Sequence, residues 1–294
     1  MKDYRYLKTE SYDEGQIVKI LLNRPETRNA QNRGLLVELE DAFLEAETDD
    51  RVRVVILGGV GPSFSSGHDM GSKEAREDFA EIAARDPSVG EGATLPGREA
   101  PWRGEWHHFL QNTLRWRNLR KITIAQVQGK CYAGGLMLAW ACDLIVAAED
   151  AEFADVVGTR LGMCGLEYFG HPWEFGPRKA KELLLTGDSI GAEEAHRLGM
   201  VSKIFPNDKL DEYTLAFARR IAQIPTFTAM MIKESVNQTV DNMGFYNSLQ
   251  ACFTIHTLNH SHHGELAARA AGDGRQAGGW KQAPPVLPAL VGRP

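Results

Sequence analysis

The chain has 294 residues, 43% of them hydrophobic, with a formal net charge of -6 and a pI near 5.9. That is enough for one large core or two small ones, and the acidic balance argues against nucleic acid or an anionic membrane as partner, since either calls for a basic face. No apolar run reaches the ~18 residues of a membrane span, and the polar start MKDYRYLKTE has no signal-peptide character, so a soluble cytoplasmic protein is expected.

In chain order, residues 4–10 and 16–22, separated by Asp13-Glu14-Gly15, read as a hairpin ended by Pro25, which has no N–H to give to a ladder. Residues 31–47 place Leu35, Leu36, Leu39, Phe43 and Leu44 on one helical face, and a continuous apolar strand (52–57) follows. This β-α-β order predicts a buried sheet flanked by helices. A charged helix (73–85) leads into DPSVGEGATLPGREAP, a mobile or ligand-gated stretch or a disordered insertion. Residues 106–119 form a helix and Ile122, Ile124 and Val127 a strand, followed by a turn at Gly134-Gly135 and a buried helix (136–141). Short strands at 144–148 and 152–154 precede helices at 178–185 and 192–198, the second closed by Gly199. A strand at 201–205 stops at Pro206, and helices at 210–224, 227–241 and 243–258 end the ordered chain. From Gly272 the chain is a Gly/Pro-rich flexible tail. Cys131, Cys142, Cys164 and Cys252 contain no C-x-x-C pair, which suits free thiols in a reducing compartment.

Two glycine-rich turns stand out, Ser66-Gly67-His68-Asp69 and the one at Gly134-Gly135. Glycine lets the backbone approach a ligand closely, and the first N–H groups of a helix lack carbonyl partners and point outward at the positive end of its dipole. Two such turns can hold an oxyanion at a thioester carbonyl. FSSGHDM is similar to the F-x-[AS]-G-x-D-[LIM] segment of the crotonase (enoyl-CoA hydratase/isomerase) superfamily, and VQGKCYAGGLMLAWACD resembles its V-x-G-x-[AC]-x-G-G-G-x-x-L-x-x-x-x-D segment. LLNRPETRNA before them and LLLTGDSIGAEEAHRLGMVSKIF after them extend the resemblance over roughly residues 7–255.

The resemblance implies an α/β fold of the crotonase-type β-β-α spiral, with residues 1–205 as spiral core, C-terminal helices (206–271) that assemble trimers or pairs of trimers, and a tail (272–294). It implies an acyl-CoA thioester as substrate, coenzyme A entering as part of that substrate and no separate cofactor. The amides of His68 and Gly134 are then the oxyanion hole. Arg24, Arg28 and Ala30 match the loop around the adenosine diphosphate, where a guanidinium can make paired charge-assisted hydrogen bonds, and the backbone of Ser66 matches the acceptor of the adenine amino group.

Hydratases of the superfamily hold water between two glutamates, since one group must take a proton while another delivers one to the α-carbon. Here those positions are Met137 and Val157, which transfer no protons. Asp155 is the nearest substitute, close to where certain C–C bond hydrolases of the superfamily carry an aspartate, with a turn-capping role as the alternative. Glu167 and His171, in GLEYFGHPWEFGPRK, fall where the superfamily's glycine-rich loop approaches the acyl group. His107 and His108 are further candidates, each with a hydrogen-bonded structural role as the plainer reading. The HSHHG run (His260, His262, His263) is read as exposed polar sequence and not as a metal site. Three functions stay open: a hydratase or isomerase with a replaced acid/base, a C–C bond hydrolase or decarboxylase, and a non-catalytic acyl-CoA binding protein.

Overall fold

The computed structural model describes residues 2–85 and 97–272, so the expectations placed on 86–96 and on the tail beyond 272 lie outside the described residues. β1 (Leu7–Tyr12) and β2 (Ile17–Leu22) form the expected antiparallel hairpin, Leu7 opposite Leu22. Helix α1 (Arg33–Thr48) is started by Asn32, whose side chain accepts the Leu35 N–H at 3.0 Å. It buries Leu35, Leu36, Leu39 and Phe43, whereas Leu44, expected on the same face, is 45% exposed at the edge of the stripe.

β3 (Val54–Gly59) and α2 (Lys73–Arg85) come next, then α3 (Glu99–Glu105), a π-helical stretch (Trp106–Gln111) and α4 (Asn112–Arg117). The helix expected at 106–119 is therefore interrupted by a wide turn over its first half. β4 (Ile122–Val127), β5 (Lys130–Tyr132) and α5 (Gly134–Trp140) form the glycine-turn unit, followed by β6 (Leu144–Ala148), β7 (Glu152–Ala154) and the unforeseen short helices α6 (Val157–Leu161) and α7 (His171–Glu174). α8 (Pro177–Thr186), β8 (Ile190–Gly191), α9 (Ala192–Leu198) and β9 (Lys203–Phe205) complete the core, before α10 (Leu210–Ala222), α11 (Thr226–Asn242) and α12 (Phe245–Gly272).

The main sheet has the order β1-β2-β3-β4-β6-β9, parallel from β2 onward, and β5-β7-β8 form a second sheet. Isolated parallel bridges Gln31↔His68 and Ser65↔Cys131 extend that second layer backward along the chain. Each turn thus runs from a main-sheet strand, through a step in the second layer, into a helix: β2, Gln31, α1; then β3, Ser65 to His68, α2; then β4, β5, α5; then β6, β7, α6. That repetition is the β-β-α spiral.

Alternation splits the apolar strand residues between two cores. Ile20, Val55, Leu57, Ala125 and Ile145 pack with α1 and α5, while Ile17, Val54, Ile56, Ile124 and Val146 pack with Leu210, Ala218 and Ala222 of α10. Burial on both faces is why these strands read as unbroken apolar runs. α12 is 28 residues long and carries His260, His262 and His263 within it, where a shorter helix and a loose end were expected. Among the described residues, no helix is long and apolar enough to cross a membrane.

Candidate active site

The two glycine turns meet in space. Gly67 has φ 96°, and a Cβ placed on it would lie 3.0 Å from the Gly134 nitrogen, while one on Gly134 would lie 2.7 Å from the His68 ring. Both positions need glycine for close approach. Between them Ala133 holds φ 47° and ψ -124°, a backbone region that costs a non-glycine residue energy and is kept only where surroundings enforce it. Here the Ala133 N–H is tied to the Ala154 carbonyl at 2.8 Å.

Neighbouring amides are satisfied: Gly67 donates to Ser65 Oγ, Asp69 to the Gln31 carbonyl and Leu136 to the Ala133 carbonyl. The amides of His68 and Gly134 make no such bond to any other described residue. Two unspent donors on abutting turns are what an oxyanion requires.

These turns form one side of a cavity of about 690 Å³. His68, Ser66 and Ala133 line it beside Gln31 and Arg33 at the start of α1, Arg76 and Phe79 of α2, Glu105 and Phe109 of the π-helical region, Val157 and Arg160 of α6, and the loop Gly165-Leu166-Glu167. The His68 ring stacks on Phe109 at 3.8 Å. Burial and the nearby Arg33 cation push its pKa down to about 3, so the ring is neutral.

Glu167 is 6% exposed, and burial raises its carboxyl to about 7 even though the adjacent His256 opposes the shift. A carboxyl poised there can take or give a proton near neutrality. His256 Nδ1 donates to the Gly165 carbonyl at 2.9 Å, and its Nε2 faces Glu105 at 3.5 Å and Glu167 at 3.7 Å. Burial alone would discharge this ring, but the Cys164 thiol and the two carboxylates outweigh it and hold its pKa up to about 11. Glu105 is pulled down to about 2, because His256 and His260 overcome its desolvation.

Asp155 and His171 are brought together, with Nε2 to Oδ2 at 2.9 Å, yet neither lines the cavity. Both side chains are almost fully shielded, the histidine packed between Trp140 and Phe169. Asp155 also accepts the Val157 N–H at 2.9 Å, and a Cβ on Gly165, a cavity-lining residue, would stand 3.3 Å from its Oδ2, so the pair lies against the Gly165 backbone. Asp155 therefore starts α6 as well as holding His171. His107 and His108 do not line the cavity either.

Arg24, expected beside phosphates, is largely engaged within the protein. Its side chain is 2% exposed and meets Asp69 at 3.0 Å, Glu74 at 2.7 Å and the Ala30 carbonyl, while its Nε–H is left without a partner. A buried guanidinium needs such partners to offset its desolvation. Arg28 is exposed with φ 55°, and Ser66 lines the cavity while its N–H donates to the Arg28 carbonyl at 2.9 Å. Of the two absent glutamates, Met137 is 2% exposed in the core outside the cavity wall, whereas Val157 is on the wall.

Sequence reasoning overlooked Glu105 and His256, and treated His260 as solvent-exposed. His260 Nδ1 is 2.7 Å from Glu105, so an acidic partner is present. The available signal was the four-residue step from His256 to His260, which places both on one helical face.

Residues 13–264 match the family model described as enoyl-CoA hydratase/isomerase. A Mycobacterium tuberculosis protein named "Putative enoyl-CoA hydratase EchA13" is 59% identical over 297 residues, covering 100% of this chain and 93% of that protein. A mitochondrial enoyl-CoA hydratase of Pongo abelii is 31% identical over 80% of this chain and 74% of its own. The crystal structure of a probable enoyl-CoA hydratase from Mycobacterium smegmatis superposes with a TM-score of 0.78 at 42% identity, covering 90% of this chain and 98% of that one. With the spiral, the abutting glycine turns and these matches all agreeing, the chain belongs to the enoyl-CoA hydratase/isomerase family.

Proposed function

We propose that the protein acts on an acyl-CoA thioester through an enolate, with the amides of His68 and Gly134 holding the thioester oxygen and Glu167 moving the proton. The observation that carries this reading is the pair of unspent amides on abutting turns, His68 itself lining a cavity whose wall also holds a buried carboxyl with a pKa near 7. Glu167 then takes the place of the carboxylates lost at Met137 and Val157. As a proton leaves the α-carbon, negative charge moves to the oxygen, where two preorganised donors stabilise it. Burial keeps Glu167 partly protonated in neutral solution, so it can accept a proton from one carbon and return it to another or to the same one.

One such group suits proton shifts along the acyl chain better than hydration, which needs a base for water and an acid for carbon together. The C–C hydrolase reading asked for a histidine beside Asp155 and a polar acyl pocket; His171 is there, but neither residue of the pair lines the cavity, whose wall is mainly apolar. The buried, titratable Glu167 on the cavity wall speaks against a purely passive acyl-CoA binder.

Exchange of the α-hydrogens of butyryl-CoA in D2O, followed by mass spectrometry, tests the enolate directly, and crotonyl-CoA tests hydration through loss of its conjugated absorbance. The expected result is exchange by the wild type and a loss of at least about 100-fold in Glu167→Gln, which keeps the side-chain volume. Undiminished exchange in Glu167→Gln removes that residue from the role. No exchange and no crotonyl-CoA turnover at high protein concentration remove the enolate reading.

A further inference from the structure

The cluster of Glu105, His256 and His260 lies at the junction of α3, the π-helical stretch and α12, with Glu105 and His260 on the cavity wall. Donor atoms of the three residues all lie within 4.8 Å of one another. We propose that they form a site for a divalent transition-metal ion of the zinc class, with an open coordination position toward the cavity.

The donor set is one carboxylate and two imidazoles, the set that such ions take when a fourth position is kept for water or substrate. His256 and His260 are four residues apart on one face of α12, the spacing that aims two side chains at one point. His256 is held as metal-binding histidines are held: its Nδ1–H donates to a backbone carbonyl, that of Gly165 at 2.9 Å, which fixes the ring and directs Nε2 at the cluster.

His256 is 1% exposed, yet its Nε2 makes no hydrogen bond, the Glu105 and Glu167 carboxylates standing off at 3.5 and 3.7 Å. Buried polar atoms are rarely left in that condition, and an ion at this point would complete that nitrogen. Bonds of about 2.0–2.1 Å to a tetrahedral ion put its ligands about 3.3 Å apart. The gap from His256 Nε2 to Glu105 Oε2 is 3.5 Å. The His260 to Glu105 hydrogen bond, 2.7 Å, needs only a small opening to admit the ion. Glu167, 3.7 Å from His256 Nε2, is left beside the open position.

A proton is the competitor. Imidazole and carboxylate ligands must be deprotonated to bind an ion, so uptake should release protons and strengthen as pH rises. The test uses the full chain without a histidine tag, stripped with chelator and titrated with Zn2+ at pH 8 by calorimetry in two buffers of different ionisation enthalpy. The expected result is one ion per chain, with at least one proton released. His260 is 32% exposed at its side chain, so His260→Ala should keep the wild-type circular dichroism and melting while weakening binding at least about 100-fold. His262→Ala, exposed on the same helix, should bind as the wild type does. The site is overturned if the wild type takes up no Zn2+, or if His260→Ala, still folded, binds it equally well. Because Zn2+ uptake is read without any acyl-CoA, this result is separate from the fate of the enolate reading.

Discussion

His68 places an imidazole where its turn needs only an amide, and that side chain has a cost of its own. The native ring refuses a proton down to about pH 3, whereas in the unfolded chain it takes one near pH 6.5. As pH falls below about 6.5, the unfolded state gains a proton that the native state does not, so this contribution drains away towards pH 3 and is absent as a penalty above 6.5. His68→Gln should therefore lose less stability than the wild type between pH 7 and pH 5, read as the shift of the urea midpoint. Equal losses would show that the ring does not titrate as its burial implies. Single residues were unevenly legible. The turns carrying His68 and Gly134 were legible because glycines mark a turn, whereas an oxyanion role for their amides came only with the family resemblance, and Glu167 was singled out because it breaks a glycine-rich stretch. The ion pairs of Arg24 could not be read from sequence, since its partners Asp69 and Glu74 are 45 and 50 residues further on.

At the level of elements, the final aspartate of the glycine-turn segment works as a clamp. Asp143 accepts the Thr123 N–H at 2.7 Å and its hydroxyl at 2.9 Å, and its carboxylate meets Lys233 of α11 at 3.0 Å. One side chain thus joins β4, the entry to β6 and the C-terminal helices. Lys233 also donates to the Lys121 carbonyl at 3.0 Å, and its side chain is 4% exposed. Removing one partner of such a pair strands the other charge, which typically costs about 3–5 kcal/mol. Asp143→Ala should lose about that much in urea unfolding, and adding Lys233→Met should recover part of it; a double variant as unstable as the single one would show that the buried charge is not the reason. Element positions were mostly readable because period and caps are local signals. The exceptions are instructive: the π-helical stretch at Trp106–Gln111 depends on packing Phe109 against His68 and Arg33, and α6 depends on Asp155 receiving the Val157 N–H, neither of which has a periodic signature. π turns gather at functional sites, and this one carries Phe109 into the cavity and adjoins Glu105.

Among the described residues, a large apolar face stays uncovered along the C-terminal helices. On α11, Phe227 is 74% exposed, Ile232 54% and Val236 58%; Met243 at its end is 68%, and on α12 Ile255 is 57% and Leu258 72%. The steps from Ile232 to Val236 to Met243, four and seven residues, keep these three side chains on one side of the helix. Chains that remain monomeric seldom present contiguous apolar surface on that scale, and closed symmetric assembly is the usual way to cover it. This surface could not be separated from core by sequence, because an apolar helical stripe reads the same whether its partner is the same chain or another copy. Trimers or pairs of trimers are accordingly proposed, with this face at the contact. Light scattering after gel filtration should give three or six times the 32.6 kDa of one chain. Ile232→Glu with Val236→Glu puts charge into the contact without touching either core, so the mass should fall toward that of one chain while helix content persists. A wild type that stays monomeric at micromolar concentration would mean that something other than its own copies covers these helices.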